Sequence, residues 1–242
     1  MIGVDGTELA VAARRRTARR QLGDEAASYV RELIMSGELR SGQFIRPEAV
    51  ADALGVSATP VREALLALRG EGFVHLEPRR GFAVSPLGAQ DIRDLFTAQA
   101  LLAGELAARA ARLATADDIA RLDDLQQQIE REAGRDDFEA VEQINWEFHR
   151  CINLLAASPK IAQLMGVAVR CVPTRLYSSI DGWSQSTVED HRDVLAALRR
   201  RSTQRSRSAM VTHTTNAGEL LARHYEQLLE PADPAVAKPA SA

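Results

Sequence analysis

Apolar side chains recur every three or four residues through most of the chain, which is the spacing of one face of an α-helix. The first such segment covers residues 24–34, and Gly37 ends it. A second segment, at residues 47–55, has a proline at its start and a glycine at its end. A third helix is predicted to begin at Ser57 or Thr59, because either side chain can cap it.

The second and third predicted helices are separated only by residues 55–58. A short turn with a glycine between two helices is typical of the helix-turn-helix, whose second helix enters the major groove of DNA. Two short segments of β-forming residues follow at 73–76 and 81–84, and the connection between them carries two arginines. The pattern therefore predicts a winged helix-turn-helix domain over residues 24–85.

Beyond a linker at residues 85–88, each periodic segment predicts another helix, and Pro173 is expected to kink the fourth. Helices joined by such short connections pack as an antiparallel bundle, which can hold a ligand between them. The fold class is therefore mostly α, with an N-terminal winged helix-turn-helix and a C-terminal all-helical antiparallel bundle over residues 89–230. The predicted helices of the bundle are 89–114, 116–133, 137–157, 160–180, 186–201 and 204–229.

Composition agrees with a helical protein, because only 5% of the residues are aromatic while alanine, leucine, arginine and glutamate are abundant. The net charge of −3 gives no overall attraction for nucleic acid, so a DNA-binding surface must be local. Residues 1–23 carry five arginines and few large apolar residues, and are predicted to be a flexible basic arm. Residues 231–242, with three prolines, are predicted to be a disordered tail.

Two observations bear on where the protein works. No segment approaches the roughly 18 uninterrupted apolar residues that a membrane span needs, so no membrane partner is expected. The only cysteines are Cys151 and Cys171, and the first residues lack the apolar region of a secretory signal. We therefore expect a cytoplasmic protein with reduced thiols.

Three of the five histidines fall on predicted helices of the bundle. Asn145 and His149 are four residues apart and share one helix face, while His191 and His213 belong to two further helices. Neutral imidazoles that converge inside a bundle can bind zinc, nickel or copper, with the asparagine or a water completing the ligand set. The alternative is that each histidine is a hydrogen-bonded core residue.

The first domain resembles the winged helix of GntR-family bacterial transcription regulators. The resemblance rests on ADALGVSATPVREAL at residues 51–65, EGFV at 71–74 and the Arg-Gly pair that follows. Ala58 and Glu48 depart from the pattern, since each stands where relatives carry an arginine, so the operator sequence does not transfer. The resemblance implies DNA contacts from Thr59 and Arg62 on the recognition helix, from Arg79, Arg80 and Gly81 at the wing tip, and from Ser57 near the phosphates.

The second domain resembles the ligand-binding FCD domain of the FadR subfamily of GntR regulators. The resemblance rests on Phe-His-Arg at 148–150, Asp-His-Arg at 190–192, and Ala-Met at 209–210 followed by the last of the three histidines. It implies a divalent metal ion, zinc or nickel, bound by His149, His191, His213 and Asn145, the last in place of the commoner aspartate.

The resemblance also bears on the effector. Gln99 and Ala103 stand where many relatives carry an arginine and a glutamate, and the arginine of those relatives pairs with a ligand carboxylate. A neutral amide can donate a hydrogen bond to a carboxylate but offers no charge. Either the metal binds the carboxylate, or Arg170, Arg175 or Tyr177 does, or the effector is not an acid. The predicted effector-binding residues are Gln99, Arg175 and Tyr177.

Together these features predict a one-component transcription regulator that binds an inverted-repeat operator on double-stranded DNA as a homodimer. A small molecule, expected to be an organic acid, would bias the spacing of its two DNA-binding heads. An alternative is a metal-responsive regulator in which the divalent ion is the signal, and another is a structural DNA-bridging protein. An enzyme is not expected, because the chain has no HExxH, GxSxG or glycine-rich phosphate loop.

Overall fold

The computed structural model describes residues 6–172, 177 and 180–229; before residue 21 it describes only one side chain, that of Arg19. Within these residues the chain forms nine helices and three short strands. In chain order they are α1 (Gly6–Met35), β1 (Phe44–Ile45), α2 (Pro47–Leu54), α3 (Ala58–Gly70), β2 (Val74–Glu77), β3 (Gly81–Val84), α4 (Ala89–Leu113), α5 (Ala116–Ala133), α6 (Phe138–Leu155), α7 (Pro159–Arg170), α8 (Trp183–Arg199) and α9 (Thr203–Leu229).

The first three helices and the small sheet form the predicted winged helix-turn-helix. α1 and α2 pack against α3 through fully buried apolar side chains such as Val30, Leu65 and Leu68. The antiparallel sheet has the order β1-β3-β2. Strand β1 is only two residues long, too short for periodicity to predict. Gly55 ends α2 with a φ of 65°, a conformation that glycine adopts without steric strain and that lets the chain turn into α3.

The expectation of a flexible arm over residues 1–23 is wrong for residues 6–23, because α1 already begins at Gly6. This segment is rich in arginine and alanine, which are strong helix formers. It extends a helix whose second half is buried, so no separate nucleation step is required. An ion pair from Arg19 to Glu63 of α3, with Nε 3.0 Å from Oε2, further ties this part of α1 to the domain.

The C-terminal helices form the predicted antiparallel bundle, in which α4 and α9 make the most extensive contact. The two helices approach closely at glycines: a Cβ atom placed on Gly218 would lie 2.4 Å from Phe96 Cβ, and one on Gly104 would lie 2.7 Å from Val211 Cγ2. Helix α8 packs beside α9, and α5 packs against α6 and α8. No helix among the described residues is long and apolar enough to cross a membrane.

The prediction of one helix over residues 160–180 is wrong in extent, because α7 ends at Arg170. The residue before a proline disfavours helical backbone, and Pro173 follows closely. Pro173 itself lies outside the described residues, as do residues 1–5 and 230–242, which include the predicted tail.

Candidate metal centre, effector cavity and DNA surface

Three histidines from three helices meet in the bundle. His149 lies on α6, His191 on α8 and His213 on α9, and one ring nitrogen of each lies within 4.8 Å of the other two. The Nε2 atoms of His149 and His213 are 3.0 Å apart. The convergence expected from the sequence is therefore present, and the cluster can hold a metal ion.

His191 is fully buried, and its orientation is set from two sides. The ring of Phe148 stacks on it with centroids 4.0 Å apart and planes 12° apart. On its edge, Nδ1 lies 3.2 Å from Oε1 of Gln126, a buried amide on α5. The Nε2 atom of His191 is buried without a hydrogen-bond partner among the described residues, so it is free to act as a metal ligand.

His213 has an acidic neighbour. Its Nδ1 lies 3.5 Å from Oδ2 of Asp190, the residue that precedes His191 on α8. Asn216 donates to both oxygens of this carboxylate, at 3.1 and 3.0 Å. Burial would raise the pKa of Asp190, but the neighbouring His213 and Asn216 hold it below its usual value. An ionised carboxylate behind a histidine is a common support for metal ligation, because it orients the ring and increases its basicity.

Asn145 has a buried side-chain oxygen on the helix that carries His149. It lies one helical turn before His149, and its Oδ1 is buried without a hydrogen-bond partner among the described residues. A buried carbonyl oxygen without a partner is costly, and a cation would satisfy it. Three imidazole nitrogens and one amide oxygen are a donor set that suits zinc or nickel. The residues present therefore fit a divalent ion.

Burial keeps two of the histidines, His149 and His191, neutral. Burial, with a contribution from His213, lowers the pKa of His149 to about 3. Burial likewise sets the pKa of His191 well below its ordinary value, and the neighbouring histidines add to this effect. Near neutral pH both rings therefore keep a lone pair available, which metal binding requires.

A cavity of about 380 Å³ opens beside the cluster, lined by residues of α4, α6, α7, α8, α9 and the segment between α7 and α8. Asn145, His149 and His213 form part of its wall. The wall is mostly apolar with a few polar groups, which is usual for a small-molecule site. The other lining residues are Phe96, Gln99, Ala103, Glu142, Trp146, Arg150, Asn153, Leu154, Ala162, Met165, Gly166, Val169, Tyr177, Trp183, Thr214 and Ala217.

Two of the predicted effector-binding residues lie in this wall. Gln99 is buried, and its Nε2 donates to the carbonyl of Ala168 at 3.2 Å. Tyr177 stacks on Trp183 with centroids 5.1 Å apart, and burial raises the pKa of its hydroxyl. Arg175 lies outside the described residues.

Arg150 is a cavity residue that sequence reasoning did not select. Its side chain is half-exposed, and its guanidinium lies 5.7 Å from the centroid of the Trp146 ring. Arg150 directly follows His149, and adjacent residues of a helix point to different faces, so the sequence does not predict that Arg150 lies near the metal ligand. Only the packing of the helices shows that it borders the cavity. Its Nη1 lies 3.4 Å from both carboxylate oxygens of Glu147, so the positive charge that it brings to the wall is paired. Gln99, which stands where many relatives carry an arginine, brings no charge.

The predicted DNA-binding residues of α3 are exposed on one side of the first domain. Ser57 occupies the N-cap position but makes no side-chain capping bond, so its hydroxyl is not used by its own helix. Thr59 is the second residue of α3, and Arg62 is the fifth, at the start of the second turn. Nη2 of Arg62 lies 2.7 Å from Oε1 of Glu48 on α2, and both side chains are 61% exposed.

At the wing, the two predicted arginines differ in their surroundings. Arg80 pairs with Glu77 at 3.0 Å and lies over the ring of Phe44, 4.2 Å from its centroid. Arg79 has a φ of 64° and makes no hydrogen bond or ion pair with the part of the chain that the structure describes. Gly81 adopts a φ of 101°, which only glycine tolerates readily. The turn therefore presents Arg79 at its tip.

Comparison with known proteins agrees with this architecture. Residues 22–84 match the family described as bacterial regulatory proteins, gntR family, and residues 94–216 match the FCD domain. The Uxu operon transcriptional regulator of Escherichia coli is 27% identical over 81% of this chain and 85% of that protein. The LutR regulator of Bacillus subtilis is 25% identical over 81% of this chain and 99% of its own length.

A solved structure of Escherichia coli McbR/YncC shares the fold, with a TM-score of 0.64, 23% identity, and coverage of 84% of this chain and 98% of that one. The relatives are transcription regulators, which confirms the expectation that this protein is not an enzyme. The pairing of the two domains is consistent with the FadR subfamily. The chain therefore belongs to the GntR family of bacterial transcription regulators and carries an FCD domain in its C-terminal half.

Proposed function

We propose that this regulator binds an inverted-repeat operator as a homodimer, and that a small carboxylate in the FCD cavity, next to a bound divalent ion, modulates its affinity for DNA. The observation that carries the proposal is the position of the histidine cluster in the wall of a cavity of about 380 Å³. A metal site that only stabilised the fold would not need to border a cavity large enough for a ligand.

The metal would be held by His149, His191, His213 and Asn145. Burial lowers the pKa of His149 and of His191, so these two rings are neutral near neutral pH, and the asparagine oxygen adds no charge. A bound zinc or nickel ion would therefore keep its full positive charge, and it would attract the carboxylate of an organic acid. This attraction would take the place of the ion pair that many relatives form with an arginine at the position of Gln99.

The rest of the cavity would orient the effector. The amide of Gln99 lies in the wall, although its nitrogen already donates to Ala168. Arg150 offers a guanidinium at the same cavity, and a guanidinium can pair with a second anionic or polar group of the effector. Tyr177 and Arg175 remain proposed contributors from the segment between α7 and α8. The apolar wall favours a ligand with a hydrocarbon portion.

The DNA contacts would come from the exposed residues of α3 and the wing. Arg62 can pair with guanine O6 and N7, while Ser57 and Thr59 bond phosphate oxygens. Arg79 is the wing residue best placed to reach DNA, since Arg80 is held against Phe44 and Glu77 and Gly81 provides the turn. A two-fold dimer would apply the same contacts to two half-sites.

Effector binding can alter DNA affinity only if the effector prefers one arrangement of the two DNA-binding heads. The test begins with an operator selected from random-sequence DNA, whose dyad symmetry checks the dimer. Fluorescence anisotropy then measures DNA affinity with zinc alone and with zinc plus a panel of small carboxylates, for the wild type and for His149→Ala. His224→Ala is the matched control, because this histidine lies on α9 outside the cluster.

We expect about one zinc ion per chain in the wild type and in His224→Ala, none in His149→Ala, and a carboxylate response only where zinc is present. A selected operator without dyad symmetry would contradict the dimer. DNA affinity that followed zinc concentration with no carboxylate present would overturn the effector proposal in favour of a metal-responsive regulator. Wild-type protein without zinc after reconstitution would overturn the metal site.

A further inference from the structure

We propose that Gln126 is the positioning residue of the histidine cluster: its side-chain amide fixes the tautomer and ring orientation of His191, so that the Nε2 lone pair of His191 faces His149 and His213. The inference rests on the metal site proposed above. It concerns a residue of α5, outside the cavity wall, that neither the sequence pattern nor the family resemblance singled out.

The orientation of the Gln126 amide follows from its neighbours. Nε2 lies 3.0 Å from the carbonyl oxygen of Val188 and 2.9 Å from Oε1 of Glu130. A backbone carbonyl and a carboxylate only accept hydrogen bonds, so both positions require the NH₂ group. The amide oxygen must then point the other way, and it lies 3.2 Å from Nδ1 of His191.

The tautomer of His191 follows from the amide. An amide oxygen only accepts, so Nδ1 must carry the hydrogen of the neutral ring. Nε2 then carries the lone pair, which has no hydrogen-bond partner among the described residues. With the opposite tautomer, two lone pairs would face each other at the Gln126 contact. The ring plane is held separately, since Phe148 stacks on it at 4.0 Å.

The amide is itself anchored to the surface of the bundle. Glu130 lies one helical turn after Gln126 on α5, and Arg192 donates to it with Nε 2.8 Å from Oε1. This hydrogen bond, together with the one from Gln126, keeps the pKa of Glu130 below its usual value, so it stays an acceptor near neutral pH. A chain of three hydrogen bonds thus runs from Arg192 through Glu130 and Gln126 to His191, which directly precedes Arg192 on α8.

Such support has a measurable consequence for metal binding. A partner that fixes the ring of a metal-ligating histidine usually contributes about 10- to 100-fold to metal affinity. Gln126→Met keeps a similar volume and removes both the acceptor and the donor. In this variant His191 can take the Nε2–H tautomer, whose lone pair faces away from the cluster, and we expect zinc affinity to fall about 10- to 100-fold.

The experiment measures the two consequences separately. Long-range ¹H–¹⁵N NMR on metal-free, ¹⁵N-labelled protein near neutral pH reports which ring nitrogen of each histidine carries the hydrogen, with His191→Asn to assign the signals. Zinc affinity is measured by competition with a chelator. Gln128→Met is the matched control, because Gln128 lies on the same helix and is only partly buried, with its Nε2 2.8 Å from Oδ2 of Asp124.

We expect the wild type and Gln128→Met to show His191 with hydrogen on Nδ1, and Gln126→Met to show a change toward the other tautomer with weaker zinc binding. An unchanged tautomer in Gln126→Met, or hydrogen on Nε2 in the wild type, would overturn the proposal. If Gln126→Met does not fold, Gln126→Asn withdraws the amide by one methylene and should produce the same change. Wild-type protein that showed the expected tautomer but bound no zinc would contradict the metal site and leave the role of Gln126 established.

Discussion

The Nε2 atoms of His149 and His213 lie 3.0 Å apart, although 64 residues separate them in the chain and they belong to different helices. At this distance one ring must donate to the other, because two lone pairs would repel. A divalent ion would remove that requirement, since both nitrogens can ligate it through their lone pairs. The packing of α6 against the rest of the bundle therefore brings these two side chains close enough to share one ion.

Asn145→Asp is expected to tighten zinc binding. The substitution places a negative charge at a buried oxygen that has no hydrogen-bond partner among the described residues, on the helix face of His149. The charge attracts the cation, while in the metal-free protein a buried carboxylate is costly. We expect at least a 10-fold lower Kd for zinc and a lower Tm without metal, both measured on the same preparation.

Asn153→Asp is the control for this prediction, because Asn153 lies on the same helix and also lines the cavity. Its new charge should change zinc affinity much less than that of Asn145→Asp. An equal gain in both variants would mean that the charge acts through the general field of the cavity and that Asn145 is not a ligand.

Asp190→Asn is expected to weaken zinc binding by about 10-fold or more, since the carboxylate lies 3.5 Å from Nδ1 of His213 and a neutral amide supports a metal-bound ring less well. The substitution also removes one of the two carboxylate oxygens that accept a hydrogen bond from the amide of Asn216. Chelator competition gives the Kd. Asp193→Asn, an exposed position on the same helix, should leave it unchanged, and equal effects at both positions would exclude a specific support of His213.

Part of this site follows from the sequence and part does not. The four-residue spacing of Asn145 and His149 places both on one face of any helix, so that half of the ligand set is readable from the chain alone. The meeting of His191 with His213 depends on how α8 packs against α9, and only the family resemblance anticipated it. Spacing within a helix carries no information about which helices are neighbours.

Gln126 and Arg150 show what sequence reasoning missed. Gln126 is the first of three consecutive glutamines, and nothing in the sequence of that run distinguishes the buried member from its more exposed neighbours. Its role depends on acceptors contributed by Val188 and Glu130, which tertiary packing brings together. The helix over residues 6–23 was not predicted because this segment has few large apolar residues to bury; helix propensity and continuity with the rest of α1 are enough to form it.

Glu48→Gln is expected to strengthen binding to DNA. In the free protein Arg62 is paired with Glu48 at 2.7 Å, and a backbone hydrogen bond together with Arg62 lowers the pKa of that carboxyl. Binding DNA requires the arginine to exchange this partner for a base, and the carboxylate also repels phosphates. We expect a severalfold lower Kd for operator and for random DNA, with a larger salt dependence.

Two further variants are compared with Glu48→Gln. Arg62→Ala should lose about 1–3 kcal/mol of operator binding and relax the preference at one base pair. Glu32→Gln, on the neighbouring helix α1, is the charge-matched control and should change neither quantity by much. Operator affinity that fell in Glu48→Gln, with binding to random DNA unchanged, would show instead that the carboxylate orients Arg62 for base recognition.

Two glycines in helix interiors are expected to respond oppositely to the same substitution. At Gly218 of α9 an added Cβ would lie 2.4 Å from Phe96 Cβ, so α4 and α9 must separate, and Gly218→Ala should lower the free energy of unfolding by about 1–3 kcal/mol. At Gly166 of α7 the nearest atom would be Nη1 of Arg170, at 3.8 Å, which is ordinary contact.

Gly166→Ala should therefore raise the free energy of unfolding by about 0.5–1 kcal/mol, because alanine loses less backbone entropy in a helix than glycine does. Denaturant unfolding monitored by circular dichroism measures both changes. The double variant Gly218→Ala/Phe96→Gly tests the cause: glycine at position 96 removes both the Cβ atom and the ring that the new methyl group would meet, so the cost of Gly218→Ala should be smaller in the Phe96→Gly background than in the wild type. Equal costs in the two backgrounds would mean that the α4–α9 contact does not depend on a glycine at this position.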